Sequence, residues 1–500
     1  MKKGISRRRF LISGSATALS LAAGMAVAEA PLTSLRPVAR GEDLRKRALT
    51  PVADLIAKAR LDGQISFAVV RADTGALQEA HNGELGLPPA SVAKALTATY
   101  ALEALGPAHH FTTEVIVTGP VSEGKLSGDL VLMGGGDPTL DTDGLMRLAA
   151  LVKDAGIREI TGKFLVCGAD LPHSFTIDAA QPDHVGYNPA VSGLNLNYNR
   201  VHFEWRRGSN GYSVSMDARN DSLRPAVHMA RMGVVPRAAP IYTYSDTGGR
   251  DEWTVARDAL GSGGSRWLPV RKPEIYAGEV FQTLAGSHGL RLPAPEVVGA
   301  RPLGVTVAQI DSPPLRIILR DMLKWSTNLT AEVVGQAATK ARTGQVLSIP
   351  QSAEQMSVWA RERFDLSHVA LVDHSGLGEA SRISAADMAA ALVAAHKAVG
   401  IKPLLKSIPM RDERRRVLPD HPLSVHAKTG TLNFVSGLAG FIDTPEGDEL
   451  IFAIFAGDLA RRGKLTKAQR ERPEGASSWN TRAKILQQAL IDRWGILYAG

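Results

Sequence analysis

The feature that most constrains this chain is that its two ends share a texture which its middle lacks. Residues 51 to 81 read as a helix from Pro51 to Arg60, a strand from Ser66 to Val70, a turn at Asp73-Thr-Gly75 and a second strand. The last hundred residues return to strands at 424–432, 435–442 and 450–457, closed by a helix from about Thr481 to Trp494. From about 111 to 300 the chain breaks into short β-like runs punctuated by Gly, with helical stretches at Leu140 to Ala155 and Glu274 to Gly289. Residues 313–406 are mostly helical, and Ser384-x-x-Asp387 reads as a capping box opening an Ala-rich helix to about Val399. A single sheet assembled from both chain ends, with the middle as an excursion, satisfies this pattern. The expectation is an α/β (α+β) fold: an antiparallel sheet flanked by helices, formed by 31–112 and 301–500, with a mixed, hairpin-rich insert of one or two domains at 113–300.

At 500 residues the chain is long enough for two or three modules. Ser-Arg-Arg-Arg-Phe-Leu at 6–11 precedes an uncharged small-residue run from Ile12 to Ala28 ending in Ala26-Val27-Ala28, the pattern of a cleaved export signal at 1–28, with Ala30 as the alternative cleavage point. The paired arginines point to the twin-arginine route; a general secretory signal is the alternative. Either way the chain is expected to be exported, to the periplasm. Losing Lys2, Lys3, Arg7, Arg8 and Arg9 with that segment takes the formal charge from +8 to about +3, which removes support for a nucleic-acid partner. Cys167 is the only cysteine, so no intrachain disulfide can form, and its place after Phe164-Leu-Val166 marks it as a small buried residue rather than a nucleophile.

Three short motifs carry the chemistry: Ser91-Val-Ala-Lys94, Ser326-Thr-Asn328 and Lys428-Thr-Gly430. Chance supplies the first two readily, since Ser122 to Lys125 and Ser478 to Asn480 repeat their spacing. Context separates the copies, because Ser122 lies in a Gly-Pro-Val-Ser-Glu-Gly-Lys turn whereas Ser91 opens a helix after a Pro88-Pro89-Ala90 stop. Residues i and i+3 share a helix face, so the Lys94 amine can reach the Ser91 hydroxyl. A serine nucleophile needs a base, and lysine serves only when burial and a neighbouring cation lower its pKa. Lys428 is the expected cation, and Ala90, Val92 and Ala93 the dry surroundings. Lys428 to Gly430 reads as an edge strand lining a cleft, along which a substrate can add as a strand, with Lys428 and the hydroxyls of Thr429 and Thr431 on its carboxylate. Gly430 is expected to leave room for the substrate backbone.

The ordered set resembles the active site of the serine β-lactamase and penicillin-binding protein superfamily. The 235 residues between Ser91 and Ser326 make it similar to the class C penicillin-binding proteins, D-alanyl-D-alanine carboxypeptidases/endopeptidases with domains inserted after the first motif. Gly128-Asp-Leu-Val-Leu-Met-Gly-Gly-Gly-Asp-Pro-Thr-Leu140, Asp373-His-Ser-Gly-Leu377 and Gly437-Leu-Ala-Gly440 agree with that family, which usually has Gly where this chain has His374. Its middle motif here is Ser-Thr-Asn rather than Ser-Asp-Asn. The resemblance implies a β-lactamase/transpeptidase-like fold and a serine-type D-alanyl-D-alanine carboxypeptidase, also a DD-endopeptidase, acting on peptidoglycan stem peptides and inhibited covalently by β-lactams such as penicillin. By the same resemblance Ser91 is the nucleophile, Lys94 its base, Ser326 a proton relay and Asn328 a substrate anchor, with the oxyanion held by the N–H groups of Ser91 and Thr431. Alternatives are a β-lactamase or esterase using the same site, and a non-catalytic peptidoglycan-binding or penicillin-sensing protein.

Other features have plainer readings. Gly134-Gly-Gly136 fails the dinucleotide spacing at Thr139 and reads as a structural turn. The 13 histidines show no metal-ligand spacing, His109-His110 and His426 included, so neither a catalytic metal nor a cofactor is expected. Basic clusters at Arg414-Arg-Arg416 and between Arg461 and Arg472 read as solvated loops, with weak attraction to anionic envelope polymers or peripheral membrane contact as the alternative. Ile485, Leu486, Ala489, Leu490 and Trp494 mark the last helix as core rather than anchor.

Overall fold

A computed structural model describes residues 46, 49–412 and 414–498. The export signal expected at 1–28 falls outside the described residues, and among them no helix is long and apolar enough to cross a membrane.

The chain starts with α1 (Val52–Ala59), β1 (Gln64–Arg71) and β2 (Leu77–His81). A 3-10 turn, Ala90–Val92, then runs into α2 (Ala93–Leu105), in which Ala93 to Leu102 are all buried. The excursion is bracketed by β3 (Thr112–Val117) and a later strand that pairs with it. Between them come β4 (Leu130–Gly134), α3 (Thr142–Asp154), β5 (Phe164–Cys167), α4 (Pro273–Ser287) and β6 (Pro295–Val298), and the bracketing strand is β7 (Val305–Asp311). These strands form a mixed five-stranded sheet in the order β6-β5-β4-β3-β7. Two three-stranded sheets between 200 and 269 pack on it through one core that includes Phe164, Phe203, Trp253 and Phe281. Gly134 ends β4 and Gly135 packs against the start of β3, where a side chain would meet Thr112 O at 2.5 Å, so the glycines expected to form a turn serve a close-packed strand end instead. Cys167 is buried.

Four helices follow: α5 (Leu315–Trp325), α6 (Asn328–Thr343), α7 (Ile349–Phe364) and α8 (Ala385–Val399). Ser384 caps α8 by accepting from the Asp387 N–H at 3.0 Å, but the reciprocal half of the expected capping box is missing. The Asp387 carboxylate instead accepts from the backbone N–H groups of Ser367 and His368, tying down the preceding turn.

The chain closes with β8 (Lys406–Ser407), β9 (Ser424–Leu432), β10 (Val435–Asp443), β11 (Glu449–Gly457) and α9 (Ala476–Leu497). One antiparallel sheet, ordered β8-β9-β10-β11-β1-β2, joins both chain ends, as the sequence texture required. Residues 435–442 and 450–457 are buried throughout, because helices cover both faces. On one face α2, α5 and α8 pack through Leu96, Leu319 and Leu392; on the other, α9 packs through Trp479, Leu486, Leu490 and Trp494. Leu486, Leu490 and Trp494 are therefore core, while Ile485 and Ala489 line a cavity. β8 covers the outer edge of β9 only at His426 and Ala427, which leaves that edge without a strand partner from Lys428 onward among the described residues.

Candidate active site

Ser91 stands in the 3-10 turn, held by a backbone that a side chain would not choose: Ala90 has φ 47°. Two glycines make the turn possible. A Cβ on Gly430 would lie 2.6 Å from Pro89 O and 3.1 Å from Ser91 N, and one on Gly437 would lie 3.0 Å from Pro89 O. The bare face of Gly430 thus admits the protein's own turn at Pro89 to Ser91, where the sequence suggested room for a substrate backbone. The reason is packing: β9 and β10 press directly on Pro89 to Val92.

The motif residues converge. Lys94 is fully buried, and its ammonium donates to Ser91 Oγ at 3.0 Å, Asn328 Oδ1 at 2.7 Å and Ser375 O at 2.7 Å. Lys428 donates to Ser326 Oγ at 2.9 Å and to Thr429 O at 2.7 Å. Ser326 sits at the left-handed junction of α5 and α6, φ 61°, so that it and Asn328 face the same space. Thr431 shares a cavity of about 310 Å3 with Ser91, Ser326 and Asn328. Thr429 does not line that cavity and opens instead toward α9. The look-alike motifs separate as expected for the first pair: Ser122 and Lys125 face each other across a tight hairpin. Asn480 of the second, however, reaches this cavity and donates to Leu432 O at 3.0 Å.

Two carboxyl groups missed by the sequence reading surround the lysine. Glu332 lies one helical turn after Asn328 and accepts from the His374 and Ser375 N–H groups at 3.0 and 2.9 Å. Asp373 accepts from the Gly376 and Gly378 N–H groups at 2.6 and 2.5 Å, closing the turn that presents Ser375 O to Lys94. Burial pushes the Lys94 ammonium down to about 8, against the upward pull of Glu332 and Asp373. Dry surroundings, Ala90, Val92 and Ala93 included, are the main cause of the depression, and the mutual repulsion of Lys94 and Lys428 acts in the direction the sequence suggested. Burial lowers Lys428 well below the ordinary lysine value, with Lys94 and Lys406 adding to it. Burial also raises Glu332 to about 8, helped by the Asp373 charge, and raises Asp373.

His374, the departure noted in the sequence, is buried beside this turn. Its Nε2 lies 2.8 Å from Ser352 Oγ and its Nδ1 3.4 Å from Met356 Sδ, and burial drives its pKa to about 3, so the ring is neutral. Space for it comes from Gly335 on α6, where an added Cβ would overlap the imidazole.

The basic stretch 461–472 is solvated at Arg461 and Arg472 but not throughout. Arg462 and Arg470 are buried, line the Ser91 cavity, and meet Glu379 Oε2 at 3.2 and 2.8 Å. The insert supplies another wall, Gln181 and Tyr187, and Tyr187 O accepts from Asn328 Nδ2 at 2.9 Å. That loop is held by the fully buried Arg271, which donates to the carbonyls of Phe175, Asn188 and Asp183. No line of sequence logic pointed to these residues; Glu332 could have been found from its i+4 spacing to Asn328. Among the described residues one grouping brings metal-ligand atoms together, Glu84, His368 and Asp387, and none of the three lines the Ser91 cavity.

The family model described as D-Ala-D-Ala carboxypeptidase 3 (S13) matches residues 48–473. The chain belongs to that family. The serine-type D-alanyl-D-alanine carboxypeptidase activity implied by the motifs is the activity of the family. Among relatives, the chain is 27% identical over 438 residues to a D-alanyl-D-alanine carboxypeptidase of Actinomadura sp. (strain R39), covering 79% of this chain and 78% of that protein. It is 24% identical over 441 residues to the D-alanyl-D-alanine carboxypeptidase DacB of Haemophilus influenzae, covering 83% and 90%. Its fold is similar to the crystal structure of penicillin binding protein 4 (dacB) from Haemophilus influenzae, with a TM-score of 0.71 at 19% identity, over 88% of this chain and 99% of that one.

Proposed function

We propose that the family's reaction runs here through an acyl-enzyme on Ser91. The observation that carries this reading is the 3.0 Å hydrogen bond between Ser91 Oγ and a fully buried lysine amine. Neutral Lys94 takes the hydroxyl proton as Oγ attacks the carbonyl between two D-alanines of a stem peptide. Oxygen charge develops against the N–H groups of Ser91 and Thr431, fixed donors that need no reorganisation. Ser326, held by Lys428, relays to the leaving D-alanine amine the proton that Lys94 has taken, which restores the neutral lysine and the serine hydroxyl, and water then releases the acyl group by the same path in reverse. Asn328 anchors the substrate amide, which requires it to exchange its contacts with Lys94 and Tyr187. Thr431 and Lys428 face the substrate carboxylate, and the open edge of β9 accepts its backbone.

Endopeptidase cleavage of cross-links is a second use of the same site, and β-lactams are covalent inhibitors by attack on the same serine. Two half-domains around an insert that runs from about Thr112 to Asp311, roughly ten residues beyond the 113–300 expected from the sequence, removal of 1–28, and export to the periplasm complete the proposal. The test is incubation with labelled penicillin and with a D-Ala-D-Ala pentapeptide. Wild type forms a long-lived adduct and releases D-alanine, and Ser91→Ala does neither. Labelling of Ser91→Ala overturns the nucleophile, rapid penicillin turnover favours a β-lactamase, and an adduct without D-alanine release favours a sensor.

A further inference from the structure

A second and larger cavity, about 780 Å3, lies on the α9 side of β9, between α9 and the segment 406–418. Its lining gathers cations. Lys406, Arg415, Arg482 and Lys484 all face it, and none of the four has a carboxylate partner among the described residues. The two acids on the wall are already engaged: Asp412 with Arg416 at 2.7 Å and Asp492 with His421 at 2.8 Å. Arg482 Nε is buried without a hydrogen-bond partner. Lys484 is half-buried, and burial together with Arg415 and Lys406 disfavours its charged form.

Folding has brought like charges into one concave, partly desolvated space. Such an arrangement costs free energy at every pair and leaves donors unmatched unless an anion joins it. We propose that this cavity is an anion-binding site for a phosphate-bearing ligand. Two observations favour phosphate over a single carboxylate. Separate cations approach from three segments, Lys406 beside β9, Arg415 on the following loop and Arg482 with Lys484 on α9, which suits an anion with oxygens on several sides. Two of the donors are guanidinium forks, whose paired N–H groups match phosphate oxygens. The cavity meets the Ser91 cavity at Thr431, which lines both, but Lys406, Arg415, Arg482 and Lys484 line only the larger one and have no part in the reaction proposed at Ser91. It gives the basic stretch around Arg414-Arg-Arg416 a partner chemistry that the catalytic reading leaves unused. A lipid headgroup and free phosphate share that chemistry.

The test is calorimetric titration of the full chain with inorganic phosphate at low ionic strength, with sedimentation against phosphatidylglycerol and phosphatidylcholine vesicles as a second arm. Saturable phosphate binding is expected, weakening as salt rises. Lys484→Gln weakens it roughly 10-fold or more, as expected for loss of a charge-assisted contact. Arg415→Gln, on an exposed side chain whose loss does not threaten folding, weakens it in the same direction. Ser91→Ala leaves it unchanged, and penicillin labelling of both cavity variants confirms that they are folded. Retention on phosphatidylglycerol alone, lost in the variants, assigns the site to a lipid headgroup; phosphate binding without vesicle retention assigns it to free phosphate. The proposal is overturned if neither phosphate nor phosphatidylglycerol binds, if both variants bind as wild type does, or if poly-glutamate binds while phosphate does not.

Discussion

Gly335→Ala should change sign with the residue at position 374. In the middle of α6, alanine normally stabilises a helix by about 1 kcal/mol relative to glycine. Here the new Cβ overlaps the His374 ring, and the ring has no retreat, because Ser352 and Met356 hold its two nitrogens and it is fully buried. Overpacking of this kind costs about 1–3 kcal/mol, and the rigid, bonded ring argues for the upper end. The net expectation in the wild-type background is a destabilisation of about 2 kcal/mol, since roughly 3 of clash outweighs roughly 1 of propensity. In a His374→Gly background the obstacle is gone, and Gly335→Ala stabilises by about 1 kcal/mol, giving a coupling of about 3 kcal/mol between the two sites. Urea midpoints of the four proteins measure it. A pH series adds a second reading. The native ring titrates at about 3, whereas a free histidine titrates at about 6.5. The unfolded chain therefore binds the proton first, and wild type loses about 1.4 kcal/mol of stability per pH unit from about 6.5 downward, until the native ring itself protonates. His374→Gly lacks this contribution, so its slope is shallower by about 1.4 kcal/mol per pH unit. The reasoning fails if Gly335→Ala has the same sign in both backgrounds.

Two further outcomes follow from the same geometry. Lys94→Met removes the amine while keeping most of its volume, so penicillin acylation should fall by about 10^2–10^4-fold, the usual worth of a positioned base. The wild-type acylation rate should rise with pH through about 8 as the lysine loses its proton, and a rate flat across that range would exclude Lys94 as base. Arg271→Met strips the donor from the carbonyls of Phe175, Asp183 and Asn188, at about 1–3 kcal/mol for each buried acceptor left unpaired. The loop carrying Gln181 and Tyr187 should then be cut by limited proteolysis while the remainder resists, and wild-type resistance would show that the loop is held by something else.

The sheet was legible because its strands are apolar runs with clear punctuation, and because two central strands buried on both faces have no other place to go. The motif residues were legible for a local reason: a Pro-Pro stop fixes where α2 begins, and i, i+3 spacing does the rest. What the sequence hid is set by space rather than by pattern. Gly430 looks like room for a ligand until Pro89 and Ser91 are found pressed against it. His374 looks like an unexplained departure until Gly335, on another helix, supplies its volume. Lys428 was the one charged influence on Lys94 that the motifs suggested, whereas the burial that dominates it and the two acids that oppose it come from other segments.

The charged walls of the Ser91 cavity were illegible for a stronger reason. His184 meets Glu471 at 2.8 Å across 287 residues of sequence, and Lys467 meets Asp183 at 2.6 Å across 284. Arg266, from a strand of the insert, reaches Glu471 as well, at 3.0 Å. Singly, ion pairs of this exposure contribute little to stability. Together they fasten the insert to the segment carrying Arg462 and Arg470, so the cavity is walled by two parts of the chain that share no strand. Asn328 is the point where this matters for chemistry, since its carbonyl oxygen holds Lys94 while its amide nitrogen is held by Tyr187 of the insert. A substrate amide that displaces Tyr187 therefore releases a contact of the insert and engages the residue that steadies the base in the same exchange. On the reaction proposed for Ser91 and Lys94, the insert is thereby coupled to the state of the lysine without contributing an atom to the reaction.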